Sequence, residues 1–393
     1  MDSLRHFAEA KLAALEARAH RRKLHPTLRT DGSRAMRQGA EVISFCCNDY
    51  LGLTQHPHVK AKAAEAIATY GAGSGASRLI SGDTPILSEL ERRLARLKGT
   101  EDCVVFGSGY LANAGIVPVL AGKGDLVLAD ELAHSCLNAG AQLSRATVKR
   151  FPHNDLAALE RLLTNDRPGV GRCLVLTDGV FSMDGDLAPL KAMGELCAAH
   201  DAWLLADDAH GIGVLAAGRG SVHASGAEAL VPLQMGTLSK AIGSYGGYLC
   251  TNHAVAELMR SRARTFVYST GLAPAAAGAA LGALDLIEAD AAFTRLPIEK
   301  ARIFTRALGL AEPESPIVPL IIGPEAQTLA ASEALLAAGY LVTAIRPPTV
   351  PAGTSRLRFT FTATHSDADV EALARFVRER ILDGSAPAQE VAQ

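Results

Sequence analysis

The sequence has no long basic block: 39 lysines and arginines stand against 41 aspartates and glutamates, a net charge of −2. A nucleic-acid or membrane-surface role therefore has no electrostatic support, and a small-molecule partner is expected instead. Paired cysteines are also lacking. Cys46, Cys47, Cys103, Cys136, Cys173, Cys197 and Cys250 are odd in number and include no Cys-x-x-Cys pair. Cys103, Cys173 and Cys250 lie in apolar strand-like runs, so they read as reduced, buried thiols of a cytosolic protein. No stretch approaches the roughly 20 apolar residues of a membrane span. The opening Met1-Asp2-Ser3-Leu4-Arg5-His6 carries charge early and lacks the hydrophobic region of a secretion signal. A cytoplasmic location is expected. There is no internal repeat and no extended low-complexity tract.

What is present is apolar mass: 48% of the 393 residues are hydrophobic, enough for a large domain with a smaller companion. Leu4, Phe7, Leu12 and Leu15 recur at helical spacing among charged residues. That predicts an amphipathic helix over the first two dozen residues, ending before His25-Pro26 and needing cover for its apolar face. From Cys103 to Cys250, short apolar runs (103–106, 126–129, 173–177, 203–206) alternate with helix-like segments such as 156–163 and 189–199. The alternation predicts a mainly parallel sheet with helices on both faces. The pattern changes near Ile298-Glu299. Beyond it, 317–322, 341–345 and 357–361 read as strands around helices near 326–338 and 367–381, a compact α+β unit, and the tail after Asp383 is expected to fray.

Lys240, in Thr237-Leu238-Ser239-Lys240, follows Asp207-Asp208-Ala209-His210-Gly211 by 33 positions. A lysine amine can form a Schiff base with the aldehyde of pyridoxal phosphate, and an upstream aspartate can keep the pyridine nitrogen protonated so that the ring draws electrons from a substrate carbanion. Each motif alone has an ordinary alternative, a solvated lysine at a helix end or a helix cap at Asp207. Order along the chain favours the chemical reading, because 202–206 reads as a buried strand delivering Asp207 and His210 at its carboxyl end, where ligands bind. Gly107-Ser108-Gly109-Tyr110 follows another apolar strand and opens a helix, so its amides and the positive helix end suit a phosphate. As an ordinary strand-to-helix turn it would bind nothing.

Longer motifs occur in one order: Asn48-Asp49-Tyr50-Leu51-Gly52-Leu53, Gly73-Ser74-Gly75-Ala76-Ser77-Arg78, Asp178-Gly179-Val180-Phe181-Ser182-Met183-Asp184-Gly185-Asp186, the Asp207 and Lys240 motifs, and Ile345-Arg346-Pro347-Pro348-Thr349-Val350-Pro351-Ala352-Gly353-Thr354. With them the chain resembles the α-oxoamine synthases, acyl-CoA-dependent members of the aspartate-aminotransferase-like (fold type I) pyridoxal-phosphate enzymes, from about the first helix to Asp383. Ala76 departs from the glycine common there. The resemblance implies an α/β fold: a large domain with a mainly parallel seven-stranded sheet flanked by helices, a smaller α+β carboxyl-terminal domain and an N-terminal helix. The corresponding boundaries are 1–48 for the helix and arm, 49–290 for the cofactor-binding large domain, 291–383 for the α+β domain and 384–393 for a flexible tail. A homodimer with active sites at the interface is implied too, with Ser269-Thr270 contributed by a second subunit.

By the same resemblance Lys240 carries the Schiff base, Asp207 pairs with the pyridine nitrogen, Ser182 and His210 lie near the ring's phenolic oxygen, and His134 stacks on the ring. Gly109, Tyr110 and Thr237 belong to the phosphate end. Arg358 would grip the amino-acid carboxylate through its planar fork, aided by Asn48. Arg356, in the same strand, is expected to point the other way, as a solvated strand edge. Arg22, or its neighbour Arg21, and Thr349 are placed on the acyl side. Within that resemblance the stretch 345–354 implies condensation of L-alanine with pimeloyl-CoA or a pimeloyl acyl-carrier protein. The same chemistry with glycine or serine and another acyl-CoA is the alternative, and a non-catalytic partner subunit would lack Lys240. Lys240, His210, Asp207 and His134 are thus the catalytic candidates, and no metal ion is expected.

Overall fold

The computed structural model describes residues 2–17, 20–22 and 24–383, so the tail expected to fray lies outside the described residues. The first helix spans Asp2–Ala17, shorter than the periodicity predicts. It closes where the His20 amide donates to the Leu15 carbonyl at 2.8 Å. None of its residues is buried, and Leu4, Phe7, Leu12 and Leu15 all face outward in this chain.

Three short strands follow, β1 (Thr27–Arg29), β2 (Arg34–Arg37) and β3 (Ala40–Ser44), paired antiparallel in sequence order. The large sheet uses β4 (Asp102–Phe106), β5 (Leu126–Asp130), β6 (Thr147–Phe151), β7 (Cys173–Asp178), β8 (Trp203–Asp207), β9 (Leu233–Thr237) and β10 (Gly247–Thr251) in the order β4-β10-β9-β8-β7-β5-β6. Only β10 runs antiparallel to its neighbours. β5, β7, β8 and β9 are buried at every position except Trp203, as expected for strands covered by helices on both faces. Their last residues are polar. Asp130, Asp178, Asp207 and Thr237 all stand at carboxyl ends on one rim of the sheet. The chain passes from β5 outward to β6 and then returns to β7 on the other side, which opens a crevice between the ends of β5 and β7.

The carboxyl-terminal strands are β11 (Ile317–Gly323), β12 (Tyr340–Leu341), β13 (Thr343–Ile345) and β14 (Ser355–Thr360). The single strand expected over 341–345 is split: β12 pairs parallel with β3, and β13 pairs antiparallel with β14. The amino-terminal arm is thereby joined to the carboxyl-terminal unit, and Phe45 packs into its core with Phe304, Phe359 and Phe361. The expected change near Ile298 falls inside one continuous helix, Ala291–Leu308. Its true start is marked by Asp290, whose carboxylate accepts from the amides of Ala292 and Phe293. Among the described residues no helix is long and apolar enough to cross a membrane. All seven cysteines are free, five of them buried.

A charged pin supports the crevice. His153 lies between the carboxylates of Asp130 (Nδ1, 3.2 Å) and Asp186 (Nε2, 2.7 Å). Burial opposes its charge, but the two hydrogen-bonded carboxylates outweigh burial and push the imidazole up to about 10. The folded pKa exceeds the unfolded value of about 6.5, so the stabilisation is complete below about pH 6.5 and is lost as pH rises through about 10. Thermal melts from pH 6 upward should show this loss in the parent. His153→Gln should melt lower at neutral pH and show a flatter profile; parallel profiles would refute the pin.

Candidate active site

A cavity of about 220 Å³ at the sheet rim is lined by Ser108, Gly109, Tyr110, His134, Asp178, Asp207, His210, Thr237, Ser239 and Lys240, among others. A larger one of about 530 Å³ lies elsewhere, but four of the charged side chains facing it, Arg78, Glu91, Asp102 and Arg260, are already paired with one another. Convergent groups, more than volume, single out the smaller site.

The helix Gly109–Leu120 starts directly after β4, with Ser108 accepting from the Leu111 amide at 3.2 Å. Its free amides therefore open on the cavity. A Cβ at Gly109 would crowd Met235 Cε at 3.2 Å and Thr237 Cβ at 3.3 Å, so the glycine eases the close approach there. Thr237 Oγ1 lies 2.8 Å from Ser239 Oγ, so two hydroxyls stand opposite the helix start. One turn further along the same helix, Asn113 donates to Asp207 Oδ2 at 2.7 Å. The carboxylate is thus set about 5 to 6 Å deeper than the anion-binding end. Its other oxygen accepts from the Ala209 amide at 3.0 Å, so Asp207 is a buried acceptor on the cavity floor and does not cap a helix.

His134 caps the helix Ser135–Ser144, its Nδ1 accepting from the Cys136 amide, while its own amide donates to Asp178 Oδ1 across the crevice at 3.0 Å. Burial lowers the His134 pKa. Asp178, one strand over from Asp207 and in register with it, is pushed well up by burial and by the Asp207 charge. Lys240 Nζ lies 2.9 Å from His210 Nε2, and burial lowers the amine's pKa towards a neutral nucleophile. Burial and Lys240 likewise hold His210 well below its usual range.

Arg358 is buried, donating Nε to the Ser182 carbonyl and Nη1 to Asn48 Oδ1 at 3.2 Å. Arg356 does not point the other way. Residues two apart in a strand share a face, and Arg356 is buried against Asp184 on the same loop. Ser182 meets Arg358 through its backbone and is not among the cavity-lining residues. Arg22 and Thr349 are exposed and outside that lining, while Arg21 pairs with Glu16 at 3.4 Å. In this chain Thr270 bridges Ser77, away from the lining. Ala76 needs no glycine, because its φ is not positive, whereas Gly75 before it is at 72°.

Tyr50, Asn113, Cys136, Asp178 and Ser239 were not singled out from sequence. Two of them had a signal. Asn113 falls four residues after Gly109 on one helix face, and Asp178 ends an apolar strand as Asp207 does.

The aminotransferase class I and II family pattern matches residues 40–377. A putative 8-amino-7-oxononanoate synthase from Parvibaculum lavamentivorans is 61% identical over 383 residues, covering 97% of this chain and 98% of the relative. The 8-amino-7-oxononanoate synthase of Beijerinckia indica is 58% identical over 377 residues, covering 96% and 98%. Among solved structures, a serine palmitoyltransferase variant from S. paucimobilis with a bound pyridoxal-phosphate–myriocin aldimine superposes with a TM-score of 0.88 at 30% identity, covering 94% and 95%. With a parallel sheet that gathers a lysine, an aspartate and a helix start around one cavity, and with relatives matching nearly end to end, the chain belongs to the class I and II aminotransferase family, in the branch of the 8-amino-7-oxononanoate synthases.

Proposed function

We propose that this chain is a pyridoxal-phosphate enzyme that condenses L-alanine with a pimeloyl thioester, carried on CoA or an acyl-carrier protein, to 8-amino-7-oxononanoate, carbon dioxide and the free thiol carrier, a step of biotin biosynthesis. The observation that carries it is the half-buried Lys240 amine, held 2.9 Å from His210 in a cavity floored by Asp207. The donor set fits the cofactor: amides of the helix start with the Ser108, Thr237 and Ser239 hydroxyls for a phosphate, a buried carboxylate for a pyridinium, and an amine in the same lining for an aldehyde. Bound there, the cofactor supplies an electron sink for the α-carbanion of an amino acid.

The chain's own residues do the rest. Lys240 takes the α-proton as a general base, and its lowered pKa suits that task. Asp207 would hold positive charge on the ring nitrogen by a charge-assisted hydrogen bond. With the cofactor bound, His134 would support the ring face, and His210, with Ser182 further out, would serve the phenolic side. Arg358 and Asn48 orient the amino-acid carboxylate, Arg22 and Thr349 serve the acyl side, and Ser269-Thr270 reach a second subunit's site in a cytoplasmic homodimer.

Purified, cofactor-loaded protein offered alanine, glycine and serine against several acyl thioesters should give the 8-amino-7-oxononanoate mass from alanine and a pimeloyl donor. Preferential product from glycine or serine would move the chain to the palmitoyltransferase-like reading.

Arg358→Lys should raise the KM for the amino acid at least about tenfold, since losing a charge-assisted contact costs about 1.5 to 3 kcal/mol. Arg356→Lys should instead lower the melting temperature and leave that KM nearly unchanged, because Arg356 serves Asp184. Steady-state kinetics on both variants decide it, and the reverse ranking would move the carboxylate site.

A further inference from the structure

Tyr50 is completely buried beside the candidate amine, and its hydroxyl lies 2.6 Å from His210 Nδ1. The other ring nitrogen of His210 is the one that faces Lys240 Nζ at 2.9 Å. We infer that Tyr50 is a positioning residue: its phenol proton occupies the contact to Nδ1 and thereby places the imidazole proton of His210 on Nε2, facing the lone pair of Lys240. This rests on the reading of Lys240 as the reactive amine.

The phenol has one proton and two acceptors within reach, His210 Nδ1 at 2.6 Å and Asn48 Oδ1 at 3.4 Å. The second is too long for a good O–H···O contact, and Asn48 Oδ1 already accepts from Arg358 at 3.2 Å. Burial pushes Tyr50 up to about 12, so the proton is present, and the Arg358 guanidinium, a donor only, faces the phenol oxygen. The opposite tautomer would make that oxygen accept from both Arg358 and His210 and send its own proton to the distant Asn48. The groups facing His210 are Lys240, Arg358 and His134, which all oppose added positive charge there. With Nδ1 accepting from the phenol, a neutral His210 carries its proton on Nε2, which faces Lys240 Nζ at 2.9 Å. No proton is transferred in this assignment; its resting place is fixed.

The test labels the histidine ring nitrogens of the protein freed of cofactor, in which Lys240 is the free amine, with ¹⁵N and identifies the His210 signals by their absence from His210→Asn. In the parent, Nδ1 should resonate as an unprotonated acceptor and Nε2 as protonated. Tyr50→Phe should retain the cofactor's visible band, scramble or reverse that nitrogen pattern, and lower kcat about tenfold, the weight of one net hydrogen bond. The amino-acid KM should stay within about threefold, because Arg358 and Asn48 remain. A protonated Nδ1 in the parent overturns the assignment whether or not the variant folds. An unchanged nitrogen pattern in Tyr50→Phe, or an unchanged kcat, overturns it as well, even if the melting temperature drops. The nitrogen spectrum needs no substrate, so absence of condensation with every amino acid and thioester pair would refute the proposed function and leave Tyr50's role standing.

Discussion

Lys240→Ala is expected to abolish turnover while leaving a folded protein, with kcat reduced at least about a thousandfold, the range for loss of a positioned acid–base group that is also the covalent anchor. The side chain contributes little to folding. Among the described residues its amine hydrogen-bonds only to His210, and the backbone turn around it is closed independently by the Gly243 amide donating to the Lys240 carbonyl at 2.8 Å. Borohydride reduction of cofactor-loaded parent, followed by peptide mapping, should find the cofactor covalently fixed to the Lys240 peptide, and the variant should carry no label. Lys98 is the informative contrast. It is fully buried where Lys240 is only partly so, and its amine donates to Asp208 at 2.6 Å and to the Arg219 carbonyl at 2.6 Å, so it is occupied as a structural cation. Label on Lys98 or any other lysine would overturn the central assignment.

Asp207→Asn is expected to lower the rate by about a hundredfold or more, comparable to the loss of one preorganised electrostatic contact at a reacting centre. Both carboxylate oxygens are held by donors, Oδ1 by the Ala209 amide and Oδ2 by Asn113. An asparagine must turn its NH₂ towards one of them, and it cannot keep a pyridine nitrogen cationic. Cofactor affinity should fall with the rate, measurable by equilibrium dialysis against free cofactor. Near-parent turnover with unchanged affinity would reduce Asp207 to a structural acceptor. Asp178→Asn tests the neighbour: Asp178 receives the His134 amide and contacts the same cavity, so its loss should disturb the crevice without removing the buried charge on the floor.

What the sequence by itself determined are the features written in local pattern. Buried apolar runs ending in aspartate predict strands that deliver Asp207 to a rim, and a glycine-rich turn after a strand predicts the helix start at Gly109; both are found. The Thr237 to Lys240 segment likewise follows directly from the end of β9. Tertiary structure decided whatever depends on which distant segments become neighbours. The crevice between β5 and β7 brings the His134 amide to Asp178, because the chain reverses its direction of travel across the sheet there, and no local pattern encodes strand order. The segment after Ala337 is divided between two sheets because β3, some three hundred residues earlier, supplies the partner for β12. That same pairing carries the arm into the carboxyl-terminal core and leads Asn48 and Tyr50 towards Arg358 and His210. The face of Arg356 could have been read from the two-residue period of a strand, but its burial could not, since only the docked loop bearing Asp184 removes it from water. Periodicity specifies which side of an element is apolar. Partners are chosen by long-range packing, where the free energy of burying one surface depends on every other surface available to cover it.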